Sequence, residues 1–300
     1  MTINRRTLLS SSLALALSGC SNPFKERITT QAETQLTELE LRSGGRLGAY
    51  ILDTGSGQMI GHRMDERFAM CSTFKLSLAA AVMQLAEQGK LDLDRVLPYS
   101  ESDLFQYAPV TRNNLADGGM SNLELAKAAV ITSDNTAANL LLRHIGGPAA
   151  LTNFWRSLGD EVSRLDRYEL ELNYVRSGEV QDTSSPKAMG QSMAIFLTTD
   201  ALSLQLRESL ASWMIETSTG MKRIRAGLPE SWLHGDKTGT FYAESYANKY
   251  NDLAIFWPPE RPPVIVVGFY EADGYYPNIR DQDQAVLAEL GRIAAAMAIG

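Results

Sequence analysis

The strands that this sequence predicts fall into two groups, separated by a long helical stretch. Near the N-terminus, the segments RLGAYILD and QMIGHR flank a glycine-containing turn and predict a β-hairpin. Residues 72 to about 215 are predicted to be mainly helical, and three further strands and an amphipathic C-terminal helix follow. Because two strands do not form a stable sheet by themselves, the hairpin must join the later strands. The helical stretch is therefore an insertion that forms its own lobe, and a cleft between lobes is a favoured place for a ligand.

Composition and charge limit the possible partners. The 300 residues are 44% hydrophobic, enough for a sizeable core, and the net charge of −7 argues against nucleic acid or an anionic membrane surface as a partner. No apolar run reaches the roughly 18 residues that a membrane-spanning helix needs. His62, His144 and His234 are scattered without the spacing of metal ligands, so we expect no metal and no cofactor. We also expect a monomer.

The N-terminal segment MTINRRTLLSSSLALALSGC predicts an export signal. Two arginines precede a short apolar stretch, and small residues lead to Cys20. The LSGC end resembles the lipobox of bacterial lipoproteins, whose cysteine is lipidated and becomes the mature N-terminus; an ordinary secretory peptide is the alternative. We therefore predict a signal peptide over residues 1–19, a lipidated tether over 20–26, and an exported protein that is periplasmic or held at the membrane only through a lipid on Cys20. The paired arginines leave both the general and the twin-arginine export routes open.

Ser72 and Lys75 lie at the start of a predicted apolar helix. Their spacing of three residues places both side chains on one helix face. A buried ammonium is costly unless it is paired, yet a desolvated lysine can take the proton of a serine hydroxyl, which is otherwise a poor nucleophile. The helix N-terminus adds a positive partial charge near the reacting centre. A second Ser-x-x-Lys, Ser184 to Lys187, contains Pro186, which is expected in the first helical turn and so leaves Ser184 outside the helix.

Two further segments strengthen the interpretation of Ser72 as a nucleophile. SDN at residues 133–135 lies between apolar helical segments, and KTG at residues 237–239 lies on a predicted strand. Ser-x-x-Lys, Ser-Asp-Asn and Lys-Thr-Gly in this order form the set shared by class A β-lactamases and penicillin-binding proteins. Together with RLDRYELELN, DTSSP and GDKTGT, these segments make nearly the whole mature chain resemble a class A serine β-lactamase.

The resemblance implies a particular α+β fold. An all-helical lobe is inserted into an α/β lobe, whose antiparallel sheet is flanked by N- and C-terminal helices, as in the β-lactamase and transpeptidase folds. This arrangement agrees with the order of elements given above. We accordingly place the α/β lobe at residues 27–65 and 216–300 and the helical lobe at residues 66–215, which includes an omega-type loop at 164–182.

The resemblance also implies an activity and a role for each candidate residue. The expected reaction is hydrolysis of the β-lactam amide of penicillin- and cephalosporin-type antibiotics through a serine acyl-enzyme, which confers resistance. Ser72 would attack the lactam carbonyl, and the backbone amides of Ser72 and Thr240 would form the oxyanion hole. The residues implied in catalysis are Ser72, Lys75, Ser133 and Glu169, and those implied in substrate binding are Asn135, Asn173, Lys237, Thr238, Thr240, Arg223 and Tyr107. Whether Lys75 or Glu169, acting through water, deprotonates the serine stays open.

The segment ELELN separates hydrolysis from a stable acyl-enzyme. Local reasoning does not choose between Glu169 and Glu171 as the carboxylate that holds the water, but the family's Glu-x-x-x-Asn spacing selects Glu169 with Asn173. Both would lie on the omega-type loop, closed by an ion pair between Arg167 and Asp182. The alternatives to a β-lactamase are a D,D-peptidase, which usually lacks the Glu and Asn pair, and a penicillin sensor that acylates and stops.

The chain departs from the family pattern beside the cleft. Leu170 stands where many members carry a proline after the glutamate, so that peptide bond could be cis or trans. Cys71 cannot form the disulfide of some carbapenem-hydrolysing members, because Phe241 follows Thr240. The segment FYAESYANKYN is longer and more aromatic than the usual hairpin, and Tyr246 stands where some members place an arginine. These departures leave the substrate range undetermined by sequence.

Overall fold

A computed structural model describes residues 23–299 of the chain. Its helices are α1 (Pro23–Ser43), α2 (Phe74–Glu87), α3 (Pro109–Asn113), α4 (Asn122–Ile131), α5 (Asn135–Ile145), α6 (Pro148–Ser157), α7 (Pro186–Thr198), α8 (Leu204–Glu216) and α9 (Asp281–Ile299). Its strands are β1 (Arg46–Asp53), β2 (Met59–His62), β3 (Phe68–Ala69), β4 (Val96–Pro98), β5 (Gly119–Ser121), β6 (Thr183–Ser184), β7 (Leu233–Phe241), β8 (Lys249–Trp257) and β9 (Val264–Glu271).

The N-terminal hairpin joins the C-terminal strands in one antiparallel sheet of five strands, ordered β2-β1-β9-β8-β7. The junction is the β1–β9 ladder, which runs in register from Arg46 opposite Glu271 to Asp53 opposite Val264. The prediction that the hairpin joins the later strands is therefore confirmed. Because β7 is the strand farthest from the hairpin, its outer edge is free to face the helical insertion.

The two faces of the sheet pack against different groups of helices. Along β9, Ile265, Val267 and Phe269 belong to the core shared with the helical insertion, whereas Val264 and Val266 belong to the core shared with α1 and α9. This alternation follows the two-residue period of a strand. The terminal helices therefore cover one face, and the helices between β3 and β7 cover the other.

Helix α2 is the centre of the helical insertion. Its residues from Phe74 to Met83 are all buried, so it is apolar around its circumference, as expected of a helix inside a core. Two short ladders, β3 with β6 and β4 with β5, lie among the helices of this lobe, which the sequence predicts to be mainly helical and the family resemblance implies to be all-helical. The first of them joins the chain just before Ser72 to the end of the loop at residues 164–182. The predicted lobe boundaries at residues 65 and 215 stay a prediction.

The predicted N-terminal segments are only partly covered by the described residues, and the lipidated tether stays a prediction. The tether predicted over residues 20–26 overlaps helix α1, which begins at Pro23. Proline is compatible with the first turn of a helix because its missing N–H needs no partner there. The predicted signal peptide, residues 1–19, and Cys20 lie outside the described residues. Within residues 23–299, no helix combines the length and the apolarity required to cross a membrane.

Candidate active site

A cleft of about 610 Å³ brings together residues from the helical insertion and from the sheet. This volume is within the range of small-molecule sites. The predicted site residues other than Lys75 and Lys237 all line it, and those two lysines bond to residues that do. The full lining is Ser72, Tyr107, Ser133, Asn135, Glu169, Leu170, Asn173, Tyr174, Thr219, Arg223, Thr238, Thr240, Phe241, Tyr242, Ile279 and Gln284.

Ser72 lies in a short 3₁₀ turn, Cys71–Thr73, that leads directly into α2. Strand β7 passes close to this turn at Gly239, where a Cβ atom would lie only 3.1 Å from the Ser72 amide nitrogen and 2.9 Å from the Met70 carbonyl oxygen. Only glycine permits this approach without displacement. From β8, the Asn251 amide donates to the carbonyl oxygens of Ala69 (2.7 Å) and Met70 (2.9 Å). The sheet therefore fixes the position of the serine from behind.

The Lys75 ammonium is fully buried and surrounded by acceptors. Its Nζ lies 2.9 Å from Ser72 Oγ, 2.5 Å from Asn135 Oδ1 and 2.8 Å from Glu169 Oε1. It also lies 3.0 Å from the Ser133 carbonyl oxygen. An ammonium has three protons to donate, and all of them find partners here. The paired carboxylate offsets the cost of burying this charge.

Glu169 is buried with its carboxylate between Ser72 and Asn173. Ser72 Oγ donates to Oε1 (3.2 Å), and the Asn173 amide donates to Oε2 (2.7 Å). The peptide bond from Glu169 to Leu170 is cis, which settles the alternative left open by the sequence. Glu171, the other candidate carboxylate, is exposed to solvent. The structure thus distinguishes two glutamates that local sequence reasoning does not.

Asn139 on α5 holds the Glu169 backbone from the opposite side. Its side-chain amide donates to the Glu169 carbonyl oxygen (2.9 Å), and its Oδ1 accepts from the Glu169 N–H (3.0 Å). Sequence reasoning missed this residue. A buried asparagine in the otherwise apolar segment TAANLLL, one turn after Asn135, is the signal that could have identified it.

The loop at residues 164–182 is closed by the predicted ion pair. Arg167 Nε lies 2.5 Å from Asp182 Oδ2, and Asp182 Oδ1 accepts from the backbone amides of Asp166 (2.8 Å) and Arg167 (3.0 Å). The Asp182 carbonyl in turn accepts from the Met70 amide, 3.1 Å away. The loop that carries Glu169 is therefore bonded to the segment that carries Ser72.

Three residues other than glycine around the site have left-handed backbones: Cys71 (φ 48°), Ser133 (φ 60°) and Asp182 (φ 56°). Such conformations cost on the order of 1–3 kcal/mol each and persist where the surroundings hold them. The surroundings do so here, because Lys75 binds the Ser133 carbonyl and the Asp182 carboxylate binds two amides. All three lie next to or within the segments that surround the cleft.

Ser133 and Asn135 are positioned by the aspartate between them. Asp134 caps the N-terminus of α5 by accepting from the Ala137 amide (2.9 Å). The same carboxylate accepts from the amides of Val110 (3.0 Å) and Thr111 (2.9 Å) on α3. Asp134 is thus a structural residue, and its bonds aim Ser133 and Asn135 into the cleft.

Lys237 and Arg223 supply positive charge on the β7 side of the cleft. Lys237 Nζ donates to Ser133 Oγ (3.1 Å), and its burial together with the nearby Lys75 ammonium holds the pKa of Lys237 well below its usual range. Arg223 is buried and donates to Thr240 Oγ1 (2.5 Å) and to the Asn251 carbonyl (2.7 Å). Its neighbour Arg225 instead pairs with buried Asp236, away from the cleft. This side of the site is suited to an anionic group.

The remaining predicted residues lie at the rim or beside it. Thr238 Oγ1 is hydrogen-bonded to Thr219 Oγ1 (2.7 Å), a lining residue that sequence reasoning missed. Tyr107 is half exposed at the mouth of the cleft. Cys71 is a free, buried cysteine, and burial raises the pKa of its thiol to about 12. A thiol with this pKa stays protonated at neutral pH, so Cys71 acts as a small apolar residue.

The comparisons with known proteins agree on one family. A model of the β-lactamase enzyme family matches residues 31–297. The chain is 41% identical over 295 residues to the carbapenem-hydrolyzing β-lactamase KPC of Klebsiella oxytoca, covering 98% of this chain and 97% of the relative. It is 42% identical over 294 residues to β-lactamase L2 of Stenotrophomonas maltophilia, covering 95% and 94%. The chain belongs to the class A β-lactamase family.

Solved structures extend this relationship to the fold. An ancestral class A β-lactamase (GNCA) superposes with a TM-score of 0.82 at 50% identity, covering 88% of this chain and 98% of that one. A β-lactamase from Burkholderia vietnamiensis superposes with a TM-score of 0.84 at 45% identity, covering 90% and 97%. The α+β fold predicted from the sequence is therefore confirmed. This class A β-lactamase is a hydrolase of β-lactams, and antibiotic resistance is the consequence of that activity.

No group of three or more histidine, cysteine, aspartate or glutamate side chains could hold a metal ion within residues 23–299. The hydroxyl of Ser72, the ammonium of Lys75 and the carboxylate of Glu169 lie within hydrogen-bond distance of one another in the cleft.

Proposed function

We propose that this class A β-lactamase opens the lactam ring through an ester on Ser72 and clears that ester with water held by Glu169. The observation that carries the proposal is the position of the Glu169 carboxylate, which lies within hydrogen-bond distance of Ser72 Oγ, Lys75 Nζ and the Asn173 amide. A serine esterified at this point leaves its carbonyl carbon beside a carboxylate that can act as a general base. Acylation and hydrolysis can therefore take place at one serine.

In the acylation step, Ser72 Oγ attacks the lactam carbonyl carbon and the C–N bond of the ring breaks. Lys75 and Glu169 both contact Ser72 Oγ, so either can receive its proton, Glu169 also through a water. Ser133 Oγ, which accepts from Lys237, passes a proton to the departing nitrogen. Two backbone amides, those of Ser72 and Thr240, would stabilise the oxyanion, and such donors contribute about 3–4 kcal/mol each. The close approach of β7 to the Ser72 amide supports that assignment.

In the deacylation step, a water molecule bound by Glu169 and Asn173 attacks the ester carbon. Glu169 takes one proton of the water as the new C–O bond forms, and the proton returns to Ser72 Oγ as the ester bond breaks. The Asn173 amide fixes Glu169 Oε2, and Asn139 fixes the backbone of the same residue. The carboxylate is thus held in place before the substrate arrives.

Substrate binding follows from the distribution of charge in the cleft. We assign the substrate carboxylate to the side formed by Lys237, Thr238, Thr240 and Arg223. Arg223 reaches that side through its bond to the Thr240 hydroxyl, so it orients this hydroxyl as well as adding charge. We assign Asn135 to bind the amide of the acyl side chain. Tyr107, at the rim of the cleft, is assigned to contact the same side chain.

The decisive experiment is Glu169→Gln, which keeps the shape of the side chain and removes its basicity. We expect acylation by benzylpenicillin to remain measurable and the acyl-enzyme to accumulate as a stable mass increase of one penicillin per protein. Turnover should fall by about 10⁴-fold, the upper range for loss of a general base. Intact turnover with no trapped species would overturn the role of Glu169.

The alternatives make different predictions for the unmodified protein. A penicillin sensor would show one acylation event per molecule and then stop, and a D,D-peptidase would cleave peptides ending in D-Ala-D-Ala. We expect sustained β-lactam turnover, because Glu169 and Asn173 lie beside Ser72. Burst kinetics on penicillin and a peptidase assay separate the three activities.

For the N-terminal segment, we infer export followed by lipidation of Cys20 and a monomeric mature protein. The support is the run of small residues before that cysteine in a segment with a charged start and an apolar centre. Metabolic labelling with palmitate tests the lipid, and Cys20→Ala should lose the label and release the protein from membranes. Failure of the unmodified chain to take up label would refute the lipoprotein assignment.

A further inference from the structure

Lys249, the first residue of β8, is a buried cation without a hydrogen-bond partner among residues 23–299. Only 3% of its surface is exposed. Its cross-strand neighbours are Phe241 on one side and Glu271 on the other. Glu271 accepts from Arg46 instead, at 2.9 Å. The Lys249 ammonium therefore has no carboxylate bonded to it, and something else must offset its burial.

Two aromatic faces meet this charge. Lys249 Nζ lies 4.7 Å from the centre of the Phe241 ring and 5.2 Å from that of Tyr246. The negative face of an aromatic ring attracts a cation within about 6 Å, and most strongly where water is excluded. Burial lowers the pKa of Lys249, and the negative charges of Glu271 and Glu179 offset this only in part.

The same two rings pack edge-on against Tyr174, and we call Tyr174, Phe241 and Tyr246 the aromatic tie. The ring centres are 4.9 Å apart for Tyr174 and Phe241, 5.6 Å for Tyr174 and Tyr246, and 5.7 Å for Phe241 and Tyr246, with interplanar angles of 74°, 78° and 77°. Edge-on packing is a favourable geometry for aromatic pairs. The Arg176 guanidinium covers Tyr246 at 5.0 Å.

The aromatic tie joins two segments that surround the cleft. Tyr174 follows Asn173 on the loop at residues 164–182, and Phe241 follows Thr240 at the end of β7. Both of these rings line the cleft, whereas Lys249 lies behind them. Phe241 also packs with Cys71 and Val175, so the contact continues to the segment that carries Ser72. Edge-on ring contacts therefore connect the loop to the strand.

We propose that Lys249 is a positioning residue for substrate selection, which holds the aromatic tie and thereby fixes the cleft wall that meets the acyl side chain. The inference rests on the proposed function, which assigns the substrate carboxylate to the side of Lys237 and Arg223. The acyl side chain then points away from that charge, toward the wall formed by Tyr174 and Phe241. Because Lys249 holds the rings of this wall in place, the wall has a fixed shape. Acyl side chains that match this shape bind, and those that clash with it are excluded.

The test compares two substrates that share one bicyclic nucleus. Benzylpenicillin carries an aromatic acyl side chain, and the penicillin nucleus with a free amine carries none. Lys249→Met keeps the length of the side chain and removes its charge. For this variant we expect kcat/KM on benzylpenicillin to fall by about tenfold, mainly through a higher KM, the scale typical of an altered side-chain pocket. On the bare nucleus we expect a change within about twofold.

Two further variants separate positioning from folding. Lys249→Arg should retain the kinetics of the unmodified protein, because a guanidinium also stacks on aromatic faces. Tyr246→Leu, at a partly exposed hairpin residue outside the cleft lining, should reproduce the loss on benzylpenicillin even if Lys249→Met fails to fold. Lys222→Met, at an exposed lysine that pairs with Asp281, is the matched control. It should leave kcat/KM unchanged on both substrates.

If Lys249→Met and Tyr246→Leu each lowered kcat/KM by the same factor on both substrates, the proposal would be overturned. Such a result would indicate a general structural role. Unchanged kinetics in both variants would also overturn the proposal. Failure of the unmodified protein to hydrolyse either substrate would instead refute the proposed function. The two failures are therefore distinguishable.

Discussion

The chain contains two Ser-x-x-Lys segments, and only one of them has the surroundings of a reactive site. At Ser72, the lysine lies one turn into a buried helix, and its ammonium reaches the serine hydroxyl at 2.9 Å. At Ser184, the serine lies in β6 before Pro186 begins α7, and its hydroxyl is hydrogen-bonded to Ser163 Oγ at 2.6 Å. Spacing alone therefore does not create the pair; the 3₁₀ turn that runs directly into α2 does.

The two lysines differ as much as the two serines. Lys75 is fully buried against Glu169, whereas Lys187 is one-third exposed and pairs with Asp65, whose side chain is 70% exposed. A buried pair changes the chemistry of a neighbouring hydroxyl, and an exposed pair is screened by water. The comparison teaches that burial, together with a carboxylate that reaches both the serine and the lysine, distinguishes a reactive serine from the same four-residue spacing elsewhere.

The largest expected effect comes from removing each serine. Ser72→Ala should abolish turnover, with a loss on the order of 10⁶-fold in kcat, as for other serine nucleophiles. Ser184→Ala should leave kcat within about twofold, because that hydroxyl contacts no reacting group. Steady-state kinetics on a chromogenic cephalosporin measures both. A large loss of activity in Ser184→Ala, with folding intact, would contradict the distinction.

The next effect comes from the lysines. Lys75→Met should slow acylation by about 10³-fold, because Ser72 loses a donor and a possible base, while Lys187→Met should acylate at the normal rate. Stopped-flow measurement of acyl-enzyme formation gives the rates directly. Normal acylation by Lys75→Met would leave Glu169 as the sole base.

A third prediction concerns Lys237, a second buried lysine in the site of Ser72. Its ammonium donates to Ser133 Oγ. Its pKa is lowered by burial and by Lys75, so its charge is lost at a lower pH than that of an ordinary lysine. As pH rises through that lowered pKa, the attraction for the substrate carboxylate falls, and kcat/KM should fall by about tenfold. Lys237→Arg keeps its charge and should move this alkaline decline to higher pH. An unmoved decline would assign it to another group.

The same shift has a consequence for stability. Between the lowered pKa of Lys237 and the ordinary lysine value, the unfolded chain binds more protons than the folded one. The contribution of this group to the free energy of unfolding therefore rises with pH across that window. Urea unfolding of the unmodified protein and of Lys237→Met at two alkaline pH values should show this pH dependence reduced in the variant.

The smallest expected effect is on the stability that Lys187, in the second Ser-x-x-Lys segment, contributes to the fold. Lys187→Met should lower the free energy of unfolding by no more than about 1 kcal/mol, because its ion pair with Asp65 is largely exposed. Asp65→Asn should have an effect of similar size. Chemical denaturation measures both, and a loss of several kcal/mol would show that this exposed pair resembles the buried one.

Much of the fold and of the site was predictable because it depends on local patterns. The two groups of strands follow from residue alternation and turn residues, and their union follows from the instability of a lone hairpin. Ser72, Ser133 and Lys237 were found from short motifs whose order is specific. The choice of Glu169 over Glu171 needed the family spacing, because both residues lie in the same short polar segment.

Other features depend on contacts between distant parts of the chain. Asn251 holds the Ala69 carbonyl across a separation of 182 residues, and Asn139 holds Glu169 across 30. Single asparagines in apolar segments gave only a weak signal, since nothing local says which backbone group they will meet.

By itself, the sequence determined the five main strands and the long helical stretch between them, the order in which the reactive groups occur, and which serine begins a buried helix. Those properties depend on residue spacing and on the polarity of near neighbours. Only the tertiary structure decided which groups meet: the carboxylate beside the nucleophile, the asparagines that hold both, and the aromatic rings that cover Lys249. The physical reason is that hydrogen bonds and ring contacts act over a few ångströms, and folding brings to that distance residues far apart along the chain.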